Sequence, residues 1–422
     1  MYRGKLRPVR GTKDLLGEEY NKFKHIQDIA QEIGAMYGFS GMQTPIFEFQ
    51  EVFYKMLGDS SDIVGKEMYT FQDRGGDTLA LRPEFTAAIA RAFLCENLPV
   101  PSKLFTTGPV FRYERPQKCR HRQFHQINFE HFGATHYMSD VEIMMLSYDI
   151  LCALGIENQV QLEINFLGND EAMKEYKCIL LKYFESRVSA LSEDSQRRLL
   201  MNPLRILDSK DARDIEVLLD APAIADCLSS ESRGVFEKIL EALTDLEIPF
   251  VVNNKLVRGL DYYCGTVFEF RTTKLGAQDA VLAGGRYDKL IAMMGGDSVP
   301  AIGFAGGLER ISALISYEEK KEFCIYILQI CEGGETYTAQ LAHKLRGAGI
   351  KVVCDYTACS LRAGLRRAGK FADIVLIVGE SELGNGTVSC KQMETGVQEE
   401  IPIENVVEYA AKYMKELLSA SA

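Results

Sequence analysis

A chain of 422 residues is long enough for two or three domains, each with its own core. Its 46% hydrophobic and 25% charged content excludes disordered and fibrous classes, and a net charge of −11 excludes a protein that coats nucleic acid non-specifically. The opening Met1-Tyr-Arg-Gly-Lys-Leu-Arg-Pro8 leads into no apolar run, and the most apolar stretches, 323–331 and 373–379, are too short to cross a bilayer. The eleven cysteines stand singly with no C-x-x-C pair, so a reducing, cytoplasmic location without membrane association is expected.

Residues 18–37 have helical periodicity, with Phe23, Ile26, Ile29, Ala30 and Ile33 on one stripe. Gly38 to Glu48 reads as a loop passing into a strand, and 66–81 as a hairpin turning at Arg74-Gly-Gly-Asp77. Pro83 and Glu84 open a helix to about Glu96, since proline suits a helix start. Strands at 102–107, 109–115 and 122–133 form an antiparallel run, and Ser139 caps a helix reaching Ala153. From 169 to 249 the sequence is charged and helical, an inserted module. Strands resume at 256–258 and 266–272, followed by a helix at 284–294 and a strand-to-helix passage at 300–315. Glu318-Glu-Lys-Lys-Glu322 reads as a linker. Beyond it strand and helix alternate (324–330, 335–347, 351–354, 360–369, 373–378), then a hairpin and a helix at 404–418. The expected fold is α+β: an antiparallel core domain over 1–322 carrying the insert at 169–249, and an α/β domain over 323–422.

Four segments carry chemistry. Arg112, Arg115, Lys118, Arg120 and Arg122 stand against one acid, Glu114, a local excess that reads either as a phosphate site or as a solvated charge run. On a strand, Arg112 and Glu114 share a face about 7 Å apart, a structural ion pair or a pair of ligand contacts. Period-two counting puts Gln126, Asn128 and Glu130 on one face, a hydrogen-bonding wall or a solvent-facing edge, with Ile127 and Phe129 opposite. Leu256-Val-Arg-Gly-Leu-Asp-Tyr-Tyr263 and Ala283-Gly-Gly-Arg-Tyr-Asp288 mix Arg, Asp, Gly and Tyr, costly to bury unless they grip something polar. His121 and His125 have helical metal-ligand spacing, but on a strand they stand about 13 Å apart, so no protein-bound transition metal is expected.

Together with Phe111-Arg-Tyr-Glu-Arg-Pro-Gln117 and Gly306-Gly-Leu-Glu-Arg310, these two strings resemble the signatures of the histidyl-tRNA synthetase family, class II aminoacyl-tRNA synthetases of bacterial type. The likeness runs along nearly the whole chain, from Arg10-Gly-Thr-Lys-Asp-Leu-Leu16 to the C-terminal domain, which resembles the anticodon-binding module. It implies a class II antiparallel-sheet catalytic core with a helical insertion, and a homodimer with Pro45 at its interface. ATP, as its Mg²⁺ complex, is then bound by Arg112, Glu114, Arg120, Arg258 and Arg310, with Arg112 and Arg258 catalytic at the α-phosphate. Histidine is bound by Glu84, Thr86, Gln126, Glu130, Tyr262, Tyr263 and Tyr287, although Glu84 also suits a capping role in the first helical turn. Arg115 and Gln117 face the tRNA acceptor end. Arg362, Arg366, Arg367 and Lys370 form a basic helix face, a tRNA contact or a solvated surface. Phe85 departs from the family, which usually has Gly there.

The reaction so implied is activation of L-histidine with ATP to histidyl-adenylate, then transfer to the 3′ end of tRNA(His). A non-catalytic regulatory subunit of histidine biosynthesis shares the core fold. It usually lacks the C-terminal module and has an eroded Arg-Gly-Leu-Asp-Tyr-Tyr segment, both present here.

Overall fold

In the computed structural model, which describes residues 6–57, 63–258, 262–276, 279–319, 322–356 and 360–420, the first helix is α1 (Glu18–Met36). It buries Phe23, Ile26, Ala30 and Ile33, and Glu18 and Glu19 sit in its first turn, where the helix dipole favours acids. Gly38 ends it at φ +81°, and the Phe39 N–H returns to the Gly34 carbonyl at 2.9 Å. Next come β1 (Ser40–Gly41), β2 (Phe47–Phe49), α2 (Gln50–Leu57), β3 (Thr70–Gln72) and β4 (Thr78–Leu81), then α3 (Thr86–Cys95), β5 (Ser102–Phe111), β6 (Gln123–Phe132) and α4 (Met138–Ala153). After β7 (Gln161–Phe166) the insert holds α5 (Asp170–Glu185), α6 (Glu193–Met201), α7 (Ala212–Leu218) and α8 (Ser230–Asp245). The core resumes with β8 (Phe250–Val252), β9 (Cys264–Arg271), β10 (Ala280–Arg286), α9 (Leu290–Met293), β11 (Ala301–Gly307) and α10 (Leu308–Ser312).

Eight of these strands make one sheet in the order β1-β5-β6-β11-β10-β9-β7-β8, antiparallel throughout its middle and parallel at the two edge pairs. One face is oily. Ile127, Phe129, Phe268, Phe270, Leu282 and Phe304 pack there with residues of α1, α4 and α8, and Phe129 stacks on Phe304 with centroids 4.9 Å apart. The other face is cut low. Across it Glu130 pairs with Gly303, Gly303 with Gly285, and Gly285 with Val267; two residues along run Asn128, Ala305, Ala283 and Glu269. Small residues in the two central strands leave a trough, and that trough positions the site.

Several local expectations are corrected. The strand through 109–115 ends at Phe111: the Glu114 N–H bonds back to the Arg112 carbonyl at 2.8 Å, so Arg112 and Glu114 do not share a strand face. Of the helix expected over 284–294 only Leu290–Met293 forms; Gly284 and Gly285 lie inside β10, because Phe268 and Phe304 fill the space a side chain at Gly284 would need. Residues 256–258 form no strand, and the edge is β8 instead. Ser139 lies inside α4, where the preceding Tyr137 makes no side-chain cap. A π-helical turn at Ile63–Glu67 replaces the first residues of the expected 66–81 hairpin, and α3 begins at Thr86 rather than at Pro83. Gly259, Leu260 and Asp261 lie outside the described residues.

The chain divides into two compact units, Met1–Tyr317 and Glu318–Ala422. In the second, β12 (Cys324–Gln329) lies parallel between β13 (Lys351–Asp355) and β14 (Ile374–Val378), and the hairpin β15 (Thr387–Gln392)–β16 (Gln398–Pro402) extends the sheet beyond β14. Both β12 and β14 are buried along their whole length, as unbroken apolar runs require. Helices α11 (Glu335–Gly347), α12 (Leu361–Ala368), α13 (Glu380–Asn385) and α14 (Val406–Ala420) complete this unit. The basic side chains of α12 are exposed, and Arg367 pairs with Asp355.

Phe85 is fully buried, packed with Ile89 and Phe93 and covered by the Arg82 guanidinium 4.3 Å from its centroid. Arg82 is itself buried, its Nε donating to the Pro109 carbonyl at 2.9 Å and its Nη1 to the Thr44 carbonyl at 2.8 Å. The ring therefore belongs to the core. Phe85→Gly is expected to cost ~3–5 kcal/mol from the vacated volume, measured by chemical denaturation; a loss below about 1 kcal/mol would show that the ring carries little of the packing.

Candidate active site

The trough opens into a cavity of about 500 Å³ whose walls include Arg112, Arg258 and Arg310, with Gln126, Ala283 and Ala305 from the sheet. Each arginine is held differently. Arg112 sits just past the end of β5; its Nε donates to the Pro83 carbonyl at 2.8 Å, and its guanidinium lies 5.3 Å from the Phe124 centroid. Burial lowers its pKa, while the charges of Glu67 and Glu84 work the other way. Arg258 is ion-paired with Glu269 of β9. Burial opposes its charge, yet Glu269 and Tyr263 outweigh burial and hold its pKa above the ordinary value. Arg310, at the start of α10, donates from Nη1 to the Ala280 carbonyl at 2.6 Å. All three remain cations under these conditions.

Glu114 also faces the cavity, but its ion-pair partner is Arg120 rather than Arg112. Arg120 lies 3.9 Å from Glu67 as well. Gln117 joins Arg120 through paired backbone hydrogen bonds of 3.0 Å, and both Gln117 and Arg115 are exposed at the tip of this loop. Gln126 is different. Its Oε1 is buried with no hydrogen-bond partner among the described residues, an acceptor open to a ligand's N–H.

Beside the cavity lies a buried polar cluster. Glu130, 1% exposed, accepts from the Thr86 hydroxyl at 2.6 Å and from the Tyr287 hydroxyl. Tyr262, Tyr263 and Tyr287 pack edge-on or tilted against one another, with centroids 4.6–6.4 Å apart. Glu84 caps α3, its two oxygens accepting from the backbone N–H groups of Thr86 (2.7 Å) and Ala87 (2.8 Å). Thus the structure brings Glu84, Thr86, Glu130, Tyr262, Tyr263 and Tyr287 together at the helix start, and the Arg258 guanidinium lies 5.6 Å from the Tyr263 centroid.

Three features were not singled out from the sequence. Glu269, the partner of Arg258, was marked only by a charge between two core aromatics, Phe268 and Phe270. Gly303 makes room for Glu130: a methyl there would overlap Glu130 Oε2. A glycine inside the apolar strand Ala301–Gly307 was the available signal. Glu309 accepts from the His125 N–H with both oxygens, at 3.0 and 3.1 Å, tying α10 to β6. The Arg of Ala283-Gly-Gly-Arg-Tyr-Asp288 grips protein: Arg286 pairs with Asp140 and Asp288 and donates to the Ala134 carbonyl at 2.5 Å, anchoring Tyr287 beside it. No group of three or more His, Cys, Asp or Glu side chains among the described residues is arranged to hold a metal ion.

Burial pushes the Glu130 carboxyl up to about 8, against the opposing pull of its hydrogen bonds from Thr86 and Tyr287. Both partners are hydroxyls, able to donate or accept, so the network serves either protonation state. Below pH 4.5 the group is protonated in both folded and unfolded chains. Between 4.5 and about 8 only the folded chain keeps the proton, so this contribution to stability is lost as pH rises through that window. The melting temperature of the wild type should therefore fall more steeply from pH 5 to 8 than that of Glu130→Gln; parallel profiles would exclude a raised Glu130. Gly303→Ala should cost about 1–3 kcal/mol by overpacking, and an unchanged denaturation midpoint would show that Glu130 yields freely.

A family model described as histidyl-tRNA synthetase matches residues 11–176 and 182–311, and one described as an anticodon-binding domain matches 322–413. The histidine–tRNA ligase of Anaplasma marginale (strain Florida) is 58% identical over 409 residues, covering 97% of this chain and 95% of that one. That of Anaplasma phagocytophilum (strain HZ) is 58% identical over 416 residues, 98% and 99% of the two chains. The crystal structure of apo S. aureus histidyl-tRNA synthetase superposes with a TM-score of 0.79 at 31% identity, covering 96% of this chain and 99% of that one. Sequence and fold agree: the chain belongs to the histidyl-tRNA synthetase family and is an aminoacyl-tRNA synthetase.

Proposed function

We propose that the cavity activates L-histidine with ATP and passes the resulting histidyl group to the 3′ end of tRNA(His). The convergence of Arg112, Arg258 and Arg310 on one cavity, abutting the Glu130–Thr86–Tyr287 cluster, carries this reading. In it, the histidine carboxylate attacks the α-phosphorus of ATP in line, the bond to pyrophosphate breaks, and the adenylate forms. Arg112 and Arg258 take up the charge that grows on the phosphoryl oxygens, so positioning and electrostatics supply the catalysis and no protein nucleophile is needed. ATP arrives as its Mg²⁺ complex, and the carboxylates of Glu67 and Glu269 among the arginines suit that ion's preference for oxygen ligands. Glu114 and Arg120 lie toward the nucleotide, and Arg310 supplies a planar cation for adenine or the γ-phosphate.

Glu130 reads the imidazole. A buried carboxyl with two hydroxyl partners offers the substrate ring a contact that an apolar side chain cannot satisfy, which is how such sites reject competitors. Gln126 offers its unpartnered oxygen to a substrate N–H, and Tyr262, Tyr263 and Tyr287 close the pocket. Glu84 and Thr86, at the α3 start, face the α-ammonium group. The arrangement favours a catalyst over a regulatory subunit, as do the near full-length relatives that are histidine–tRNA ligases.

The remaining assignments are coarser. Arg115 and Gln117, exposed at the loop tip, suit the acceptor end of the tRNA. The second unit, with Arg362, Arg366, Arg367 and Lys370 exposed on or just beyond α12, suits the anticodon arm. Ile46, Phe47, Phe49 and Phe71 expose an apolar patch beside Pro45, which favours a homodimer through this surface. No helix among the described residues is long and apolar enough to cross a membrane, and we assign the protein to the cytoplasm.

Pyrophosphate exchange dependent on histidine, and on no other amino acid, is the direct test of this reading. Arg258→Lys keeps a cation beside Glu269 while removing the guanidinium fork. It should slow exchange by about ten- to a hundredfold, roughly 1.4–2.7 kcal/mol, with a near-native melting temperature; wild-type exchange by this variant would remove Arg258 from the phosphate. A chain ending at Tyr317 should retain exchange and lose most tRNA charging, and full charging would make the second unit dispensable.

A further inference from the structure

The arginine-lined cavity is not built by the sheet alone. Arg198, on α6, and Arg205, in the 3₁₀ turn Pro203–Ile206, both line it, although they belong to the helical insert. Among the described residues, the core contributes four arginines to that lining (Arg112, Arg120, Arg258, Arg310) and four glutamates (Glu67, Glu114, Glu269, Glu309). Four against four leaves no surplus for a polyanion. The insert adds two arginines and a single acid, Asp208, so the positive excess comes from the insert. Its location is specific as well. Arg198 lines the neighbouring opening together with Arg120, placed above toward the nucleotide, and Arg310, offered above to adenine or the γ-phosphate. The Asp208 carboxyl, at the mouth, feels Arg258 of the core and Arg198 of the insert together.

The segment that bears them is also held firmly. Asp214 is fully buried and accepts from the Ser192 N–H and hydroxyl (both 2.7 Å), the Ser195 hydroxyl (2.6 Å) and the Ser209 hydroxyl (2.5 Å), closing the segment that bears Arg198 and Arg205 into one knot. The apolar core of the insert, with Leu199, Leu204 and Ile206, includes Leu256, Val257 and Val267, so the module is packed against the two residues that precede Arg258.

We propose that the helical insert is a wall of the nucleotide cavity, with Arg198 and Arg205 gripping the pyrophosphate end of ATP. This rests on the reading of the cavity as an ATP site. The insert then serves the activation step itself, before any tRNA is bound. Two guanidinium forks on the leaving group orient it in line with the attacking carboxylate and stabilise the charge it gains as the α–β bridge breaks.

The test uses the full chain with Arg198→Gln, Arg205→Gln and the corresponding Lys substitutions, in histidine-dependent pyrophosphate exchange without tRNA. The Gln variants should raise KM for ATP tenfold or more while KM for histidine stays within twofold, and Lys should restore part of the loss. Folded variants with KM for ATP within twofold of wild type would overturn the proposal. So would a parallel rise in both constants, which marks a loosened fold, or intact exchange with reduced tRNA charging, which would put the arginines on tRNA phosphates. Wild type is read in the same assay, so failure of the broader reading appears as no exchange by wild type. ATP titrated calorimetrically into each protein then decides the role of the arginines: tenfold weaker binding by the Gln variants supports it, and equal affinity refutes it.

Discussion

A carboxyl group is kept almost out of water in the middle of an eight-stranded sheet, and the arrangement around it follows from that constraint. Glu130 stands across from Gly303, whose missing side chain is the space its oxygen occupies. One residue with a Cβ at 303 would displace the carboxyl from Thr86 and Tyr287, its two hydroxyl partners. Gly285, next in the same row, is just as confined: a Cβ there would stand 2.7 Å from the Thr266 carbonyl and 2.9 Å from the Tyr263 ring. The low face of the sheet is thus a row of deletions, and the pocket is what they leave.

Burying charge next to this trough is costly, and the chain offsets the cost with specific partners. Arg258 has Glu269, Arg286 has Asp140 and Asp288, and Arg82 has three backbone carbonyls, those of Thr44, Pro45 and Pro109. Arg112 is held more lightly, by the Pro83 carbonyl and the Phe124 ring, with Glu67 and Glu84 as more distant charges. That gradation fits a division of labour. Arg286, with its two carboxylates, and Arg82, with its three carbonyls, fix the frame, whereas Arg112, held by one carbonyl, and Arg258, whose buried Nε has no partner among the described residues, have donors to spare for a ligand. Glu84 shows the same economy of parts, since the carboxylate that caps α3 also brings negative charge to the edge of the pocket.

Chemistry written contiguously in the chain was legible from the sequence. The polar face Gln126–Asn128–Glu130 follows from strand periodicity, and Arg112, Arg310, Tyr263 and Tyr287 sit in recognisable strings. Phe85 was visible as a departure, and its buried place under Arg82 explains how the ring is accommodated. The alternation of strand and helix beyond Cys324 was legible too, because unbroken apolar runs and 3.6-residue periodicity are local signals. Misread segments share one cause. Glycines at 284 and 285 look like the start of a helix until the facing aromatics Phe268 and Phe304 occupy the space of a side chain at 284, and Tyr263 that of one at 285. Residues 112–114 look like strand until the backbone turns on itself after Phe111.

By itself, the sequence determined the class of chemistry, the polar wall and the family, since these depend on residue identities at short spacing. Tertiary structure alone decided who partners whom: Glu114 with Arg120 rather than Arg112, Glu269 with Arg258, Gly303 beneath Glu130, and Arg198 and Arg205 on the rim of a cavity built by another part of the chain. Cross-strand register and the docking of the insert set those meetings. Both are fixed by the packing of side chains distant in sequence, which no local pattern encodes.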